Sequence, residues 1–243
     1  MDVFDDLAAE FDRLDEVLTG LDAPDWERPS ACAGWSIADV VLHLAQTNEL
    51  VLASIEGRDS LLEREPGVAL DDMMDRLVAD DRGTAPGDLL ARWRTSAYGS
   101  LDSLRTCDRG AKLTWVAAPL SPRTLATTRI AEHWAHALDI TDPLGAAYPD
   151  TSRLRHIAWL AHRSLPYALS AAGVQAGPVR CELTGPDGER WEYGDPEAES
   201  VIRGPAAEFC RVGARRLPAD RSTLVTDGPH AALALRHLRN YAL

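Results

Sequence analysis

The residues best placed for chemistry sit in one stretch, R-I-A-E-H-W-A-H-A-L-D-I over Arg129 to Ile140. If that stretch is helical, Glu132 and His136 project from the same side, one turn apart. A carboxylate oxygen and an imidazole nitrogen each approach a zinc-like cation to about 2.0–2.2 Å, so one ion reaches both. His43 is the candidate third ligand, because it lies at the edge of the apolar face of another expected helix, where a bundle neighbour can approach it. Three protein ligands leave a coordination position open, which is the pattern of catalytic zinc sites. Arg123 and Arg129 flank the site, and either guanidinium offers a bidentate fork to a substrate carboxylate. For Arg129 an i, i+3 ion pair to Glu132 is an equally open reading.

The same spacing has a plainer reading. On a helical wheel Leu125, Arg129, Glu132, His136 and Asp139 form one stripe, with Ile130, Trp134 and Leu138 roughly opposite, and a polar stripe is commonly a solvated face. Asp39, one turn before His43, is either an acceptor that fixes the imidazole tautomer or a helix-capping residue. His133 points about 100° away from Glu132 and is not expected to share the ion. His156 and His162 lie six apart and share no face, His230 and His237 show no partner, and all four read as structural. The chain has no P-loop, no GxGxxG, no GxSxG elbow and no cysteine beside a histidine motif.

The elements that position these residues are largely helical. Val3, Leu7, Phe11, Leu14 and Leu18 form the stripe of a first helix to about Leu21. Pro24 and Pro29 interrupt, and Ser36 with Asp39 reads as a capping box opening a second helix, with Ile37, Val40, Val41, Leu44, Val51 and Ile55 on its core face. An acidic connection framed by Gly57 and Pro66, with a helical patch from Met73 to Leu77, leads to a third helix from Pro86 to about Leu104. The fourth starts near Pro122 and is expected to end before Pro143. Four helices make a bundle the natural arrangement.

After Pro149 the texture changes. A helix from about Ser152 to Ala171 precedes a hairpin, Val179–Leu183 and Arg190–Tyr193 around Gly185 to Gly188. Ser200–Arg203 and Thr223–Thr226 are further short strands, separated by a helix from about Pro205 to Leu217, and a last helix runs from about Pro229 to Tyr241. The expected fold class is therefore α+β, with a helical bundle over residues 1–148 and a small α+β domain over 149–243.

Composition narrows the function classes. With 38 acidic against 25 basic residues the net charge is −13, a field that repels phosphate backbones and anionic membranes, so neither nucleic acid nor membrane is an expected partner. No apolar run approaches the roughly 20 residues of a membrane span. Cys32, Cys107, Cys181 and Cys210 form no CxxC pair, and nothing near Met1 reads as a signal segment, so a cytoplasmic location is expected. The abundance of Ala, Arg, Asp and Leu over Lys hints at a high-GC bacterial genome.

Together, A-G-W-S-I-A-D-V-V-L-H-L at Ala33 to Leu44 and T-R-I-A-E-H-W-A-H-A-L-D-I at Thr128 to Ile140 resemble the DinB-like superfamily, in its mycothiol-dependent maleylpyruvate isomerase branch, and within it actinobacterial metal-binding members. The resemblance implies a four-helix bundle with a divalent metal on His43, Glu132 and His136, and a C-terminal α+β domain. It implies thiol-dependent isomerisation or S-transfer, in which the metal activates mycothiol toward a small electrophilic substrate. Zn²⁺ leads, with Ni²⁺, Fe²⁺ and Mn²⁺ compatible. Arg129 is the candidate catalytic anion clamp. Two other readings stay open: a thiol-independent metal-dependent cyclase, isomerase or hydrolase of natural-product biosynthesis, and a non-catalytic small-ligand-binding protein. The sequence leaves the oligomeric state open.

Overall fold

The computed structural model describes residues 2–58 and 67–241, and the chain divides after Tyr148 into two compact units. The first is helical. Helix α1 (Val3–Thr19) opens on Asp2, whose carboxylate accepts from the Phe4 N–H at 2.9 Å, and buries Val3, Leu7, Phe11, Leu14 and Leu18. A short helix α2 (Ala23–Trp26) forms where two prolines led us to expect only an interruption; Pro24 near its start suits a position whose N–H needs no helical partner.

Helix α3 (Ile37–Ile55) begins with the capping box read from the sequence: the Asp39 N–H donates to Ser36 Oγ at 3.1 Å, and the Ser36 N–H donates to Asp39 Oδ2 at 2.9 Å. The expected patch at Met73 is a longer helix, α4 (Leu70–Asp81), which fully buries only Val78 and accepts hydrogen bonds from Gln46 at the Leu77 carbonyl and from Trp35 at Asp75. The acidic connection before it falls largely outside the described residues. Helix α5 (Pro86–Thr106) lies against α1 and α3, and α6 (Pro122–Leu144) lies against α1, α3 and α5.

Helix α6 is the centre of the bundle. Ser121 caps it, accepting from the Thr124 N–H at 3.2 Å, with Pro122 at the first position. It runs past the expected stop at Pro143 to Leu144, and Gly145 closes it in the left-handed conformation at φ +65°. Proline in this last turn removes one N–H, and the carbonyl four residues earlier, on Asp139, accepts instead from the Ala31 N–H of the α2–α3 loop at 2.9 Å. The polar stripe is not a solvated face: Arg129 is 4% exposed and Asp139 2%, and Glu132 and His136 are partly buried. Leu125, Ile130 and Trp134 are buried as well, so the helix is enclosed on nearly every side.

His133 shows how that enclosure is satisfied. Its Nδ1–H donates to the Arg129 carbonyl at 2.9 Å, and Nε2 accepts from Asn48 Nδ2 at 3.3 Å and Trp93 Nε1 at 3.4 Å. The ring packs on Phe11, centroids 4.5 Å apart, and Phe11 meets Trp93 edge-on at 6.3 Å.

The second unit is α+β, as expected. After α7 (Leu154–Ala171) come β1 (Val179–Thr184), β2 (Arg190–Tyr193) and β3 (Ser200–Pro205), then α8 (Ala206–Gly213), β4 (Val225–Asp227) and α9 (Ala231–His237). The sheet order is β2-β1-β3-β4: β1 pairs antiparallel with β2, parallel with β3, and β3 pairs antiparallel with β4. Helix α8 stops short of the expected Leu217 because Arg215 takes φ +62° and the Arg216 N–H turns back to the Arg211 carbonyl. Helix α9 is shorter than expected at both ends. No helix among the described residues is long and apolar enough to cross a membrane.

Burial holds the His133 imidazole uncharged, its pKa lowered to about 3. The unfolded chain takes up that proton near pH 6.5, so this contribution is complete above pH 6.5 and is lost as pH falls from there toward 3. A His133→Gln variant is therefore expected to be less stable by about 1–3 kcal/mol at pH 7.5. In urea titrations its deficit relative to the native chain should shrink between pH 6.5 and 4.5, since only the native chain has that ring to keep uncharged.

Candidate metal centre

Helix α3 contributes His43 and α6 contributes Glu132 and His136, and the contact between the two helices brings all three side chains together. His43 Nε2 lies 2.9 Å from Glu132 Oε1, and His136 Nε2 lies 3.6 Å from the same oxygen. All three donor atoms fall within 4.8 Å of one another. Ligands on one tetrahedral zinc ion at about 2.0–2.1 Å stand roughly 3.4 Å apart, so the two measured separations bracket what an ion needs. The donor set of two imidazoles and a carboxylate suits a divalent ion of the zinc series. His43 Nδ1 is buried without a hydrogen-bond partner among the described residues, which leaves the orientation of that ring to be set through Nε2. Side-chain exposures of 7% for His43, 12% for His136 and 22% for Glu132 leave an approach from the glutamate side.

The electrostatics follow from this burial. Burial alone would raise the Glu132 carboxyl, but hydrogen bonds from His136 and His43 and the charge of Arg129 hold it well below the usual carboxylate range. The histidines are pushed in opposite directions. Burial dominates for His43 and lowers it. For His136 burial is outweighed by hydrogen bonds to Asp139, Cys32 and Glu132, which raise it well above 6.5.

Around the donors the structure decides between the readings left open. Asp39 does not reach His43; its two oxygens are taken by the Ser36 N–H and by Arg82 Nε at 3.0 Å, so the capping reading holds. The carboxylate on a ligand imidazole is Asp139, whose Oδ2 accepts from His136 Nδ1 at 2.9 Å and from the Cys32 thiol at 3.0 Å. The residue at i+3 from His136 was visible in the stripe, but only burial distinguishes it from a solvated acid. Cys32 had no helical spacing to point to it.

Arg123 is not at the centre. It is half-exposed near the start of α6, paired with Asp2 at 2.9 Å and set over the Phe4 ring. Arg129 is buried, and its Nε and Nη1 have no hydrogen-bond partner among the described residues. The i, i+3 ion pair does not form, because the Glu132 carboxylate turns to the histidines. The Arg129 guanidinium lies 4.9 Å above the Trp115 ring, and burial lowers its pKa against the opposing pull of Glu132.

Trp35 forms a wall over the site. Its ring centroid is 5.0 Å from that of His43 and 6.4 Å from that of His136, nearly parallel to the latter, and its indole N–H donates to Asp75 Oδ1 of α4 at 2.8 Å. Gly34, at φ +82°, makes the turn that presents this tryptophan.

Residues 7–141 match the mycothiol maleylpyruvate isomerase N-terminal domain family. Uncharacterized proteins from two Mycobacterium tuberculosis strains are each 35% identical over 213 residues, covering 84% of this chain and 81% of their own. Among solved structures, the mycothiol-dependent maleylpyruvate isomerase has the same fold, with a TM-score of 0.63 at 16% identity and 94% coverage of both chains, and a mutant of that enzyme gives 0.62.

Elemental analysis of protein purified without a metal-affinity tag should find about one divalent ion per chain, because among the described residues the other group of potential ligands, Cys32, His136 and Asp139, shares His136 with this one. His136→Ala and Glu132→Ala are expected to bring the content near zero, while His133→Gln retains it. Native-level metal in either ligand variant would remove the centre from these residues.

Proposed function

The chain belongs to the mycothiol maleylpyruvate isomerase N-terminal domain family, and on that premise we propose that it is a divalent-metal-dependent enzyme. It uses mycothiol as a co-substrate for isomerisation or S-transfer on a small, carboxylate-bearing electrophile. The observation that carries this reading is the meeting of His43, Glu132 and His136 beside a buried guanidinium with unused donors.

His43 and His136 would hold the ion through Nε2 and Glu132 through its carboxylate. Zn²⁺ is the first choice, with Ni²⁺, Fe²⁺ or Mn²⁺ compatible with the same donors. When bound, such an ion supplies Lewis acidity that makes a thiol or water more acidic and polarises a carbonyl. The remaining roles belong to the chain. Glu132 contributes the one negative ligand and stays ionised because the two imidazoles and Arg129 surround it. Trp35 shields the histidines and keeps the electrostatics of the site in a low-dielectric setting.

Arg129 would hold the substrate. A buried, unpaired cation costs several kcal/mol unless a counter-charge arrives. Here the Trp115 face supports the guanidinium without consuming a hydrogen bond, so Nε and Nη1, on different sides of the planar group, stay available as N–H donors to an incoming anion. The planar group thus fits a carboxylate and positions the electrophile next to the thiol-binding side of the centre. The published name of the structural neighbour, a maleylpyruvate isomerase, supports a dicarboxylate-like substrate for this chain as well.

Calorimetric titration of mycothiol into the metal-loaded chain tests the proposal. A saturable heat is expected, absent in His136→Ala and in metal-stripped protein; silence at millimolar thiol would exclude the thiol-dependent mechanism. With maleylpyruvate as the carboxylate probe, Arg129→Met is expected to raise KM about 10- to 100-fold, the loss of a charge-assisted hydrogen bond, and to leave mycothiol affinity unchanged. An unchanged KM would remove Arg129 from substrate binding.

A further inference from the structure

The two ligand imidazoles are held differently. His136 directs Nε2 toward Glu132 and gives Nδ1 to Asp139 Oδ2 at 2.9 Å, whereas His43 Nδ1 is buried without a partner among the described residues. The same Asp139 oxygen accepts from the Cys32 thiol at 3.0 Å. The main-chain carbonyl of Asp139 accepts from the neighbouring Ala31 N–H, which Pro143 makes possible by offering no N–H of its own. One buried residue is thereby fastened both to a ligand on α6 and to the loop that leads through Gly34, Trp35 and Ser36 into α3, the helix of His43.

We infer that Asp139, with Cys32 as its second donor, is the positioning residue of the metal centre. The inference rests on the metal reading of the site. A carboxylate that accepts from Nδ1–H selects the neutral tautomer with its proton on Nδ1, so Nε2 is the nitrogen whose lone pair is offered to an ion beside Glu132 and His43. It also fixes the ring plane and makes His136 the stronger of the two nitrogen ligands, because the negative partner increases the basicity of the imidazole. Among the described residues His43 has no such acceptor, and it is the weaker ligand. The Cys32 thiol donates to Oδ2 from the loop side and restrains rotation of the carboxylate that His136 needs, while its sulfur lies 3.8 Å from His136 Nδ1.

The experiment is a competition titration of Zn²⁺ between a chromophoric chelator and the full-length chain. Native protein is compared with Asp139→Asn, Asp139→Ala, Cys32→Ser and Cys32→Ala. Asp39→Asn serves as control, since that carboxylate caps α3 and touches neither histidine. Asp139→Ala is expected to lose about 10- to 100-fold in zinc affinity, the range found when the outer partner of a ligand histidine is removed. Asp139→Asn keeps an acceptor oxygen without the charge and should recover part of the loss. Cys32→Ala should show a smaller loss that Cys32→Ser restores, because the hydroxyl replaces the donor.

Metal-free circular dichroism and thermal melting of Asp139→Asn should stay close to the native chain, which separates positioning from folding. Affinities of both Asp139 variants within about threefold of native would overturn the inference. So would an equal loss in Asp39→Asn, which would mark general loosening of α3. If the native chain itself takes up no zinc, the metal reading fails before any variant is compared, and the inference falls with it.

Discussion

Across the contact between α3 and α6, a histidine nitrogen and a glutamate oxygen face each other at 2.9 Å inside a helical bundle. Polar groups at such a place are tolerated only when each finds a partner or a ligand, because removal from water is otherwise uncompensated. The surroundings of α6 follow from that constraint. His133 is satisfied by Asn48, Trp93 and a carbonyl of its own helix, and His136 by Asp139. Among the described residues, three of the buried side-chain atoms without a hydrogen bond, His43 Nδ1 and two nitrogens of Arg129, belong to this centre, while others, such as Gln46 Oε1 and Asn48 Oδ1, lie further along α3. Incomplete pairing beside a convergent donor set is how a bundle core differs from a binding site within it.

The loop between α2 and α3 takes part in the same arrangement. Proline in the final turn of α6 leaves a carbonyl open, Ala31 fills it, and Cys32 is carried to the side chain of the same residue. Arg28 Nη2 adds a bond to the Pro143 carbonyl at 2.9 Å. A short stretch ahead of α3 is in this way tied to the end of α6 by main-chain and side-chain bonds together. The mutual placement of the two ligand-bearing helices rests on hydrogen bonds of fixed direction as well as on apolar packing, which is non-directional.

Much of the bundle could be read from the chain because its signals are local. The apolar steps from Val3 to Leu18, the Ser36–Asp39 box and the two motifs with His43, Glu132 and His136 each lie within a few turns of helix. Depth within the core is a property of the whole assembly, and periodicity does not report it. The Arg129–Asp139 stripe is polar and reads as solvated; only the packing of α1, α3 and α5 around α6 shows that it is enclosed. The roles of the two aspartates separate for a related reason. Asp39 and Asp139 each lie within a turn of a ligand histidine, but Asp39 is drawn to the end of its own helix, whereas Asp139, in mid-helix, has its side chain left for His136 and Cys32. Arg215 hid the end of α8 because a left-handed residue there is usually glycine.

The most direct test of the account is a crystal structure of the zinc-loaded chain with anomalous scattering measured at the zinc edge. The account predicts a single strong peak enclosed by His43 Nε2, Glu132 Oε1 and His136 Nε2, with Asp139 still on His136 Nδ1. A peak bound by other residues, or those three side chains turned apart in a zinc-replete crystal, would contradict it.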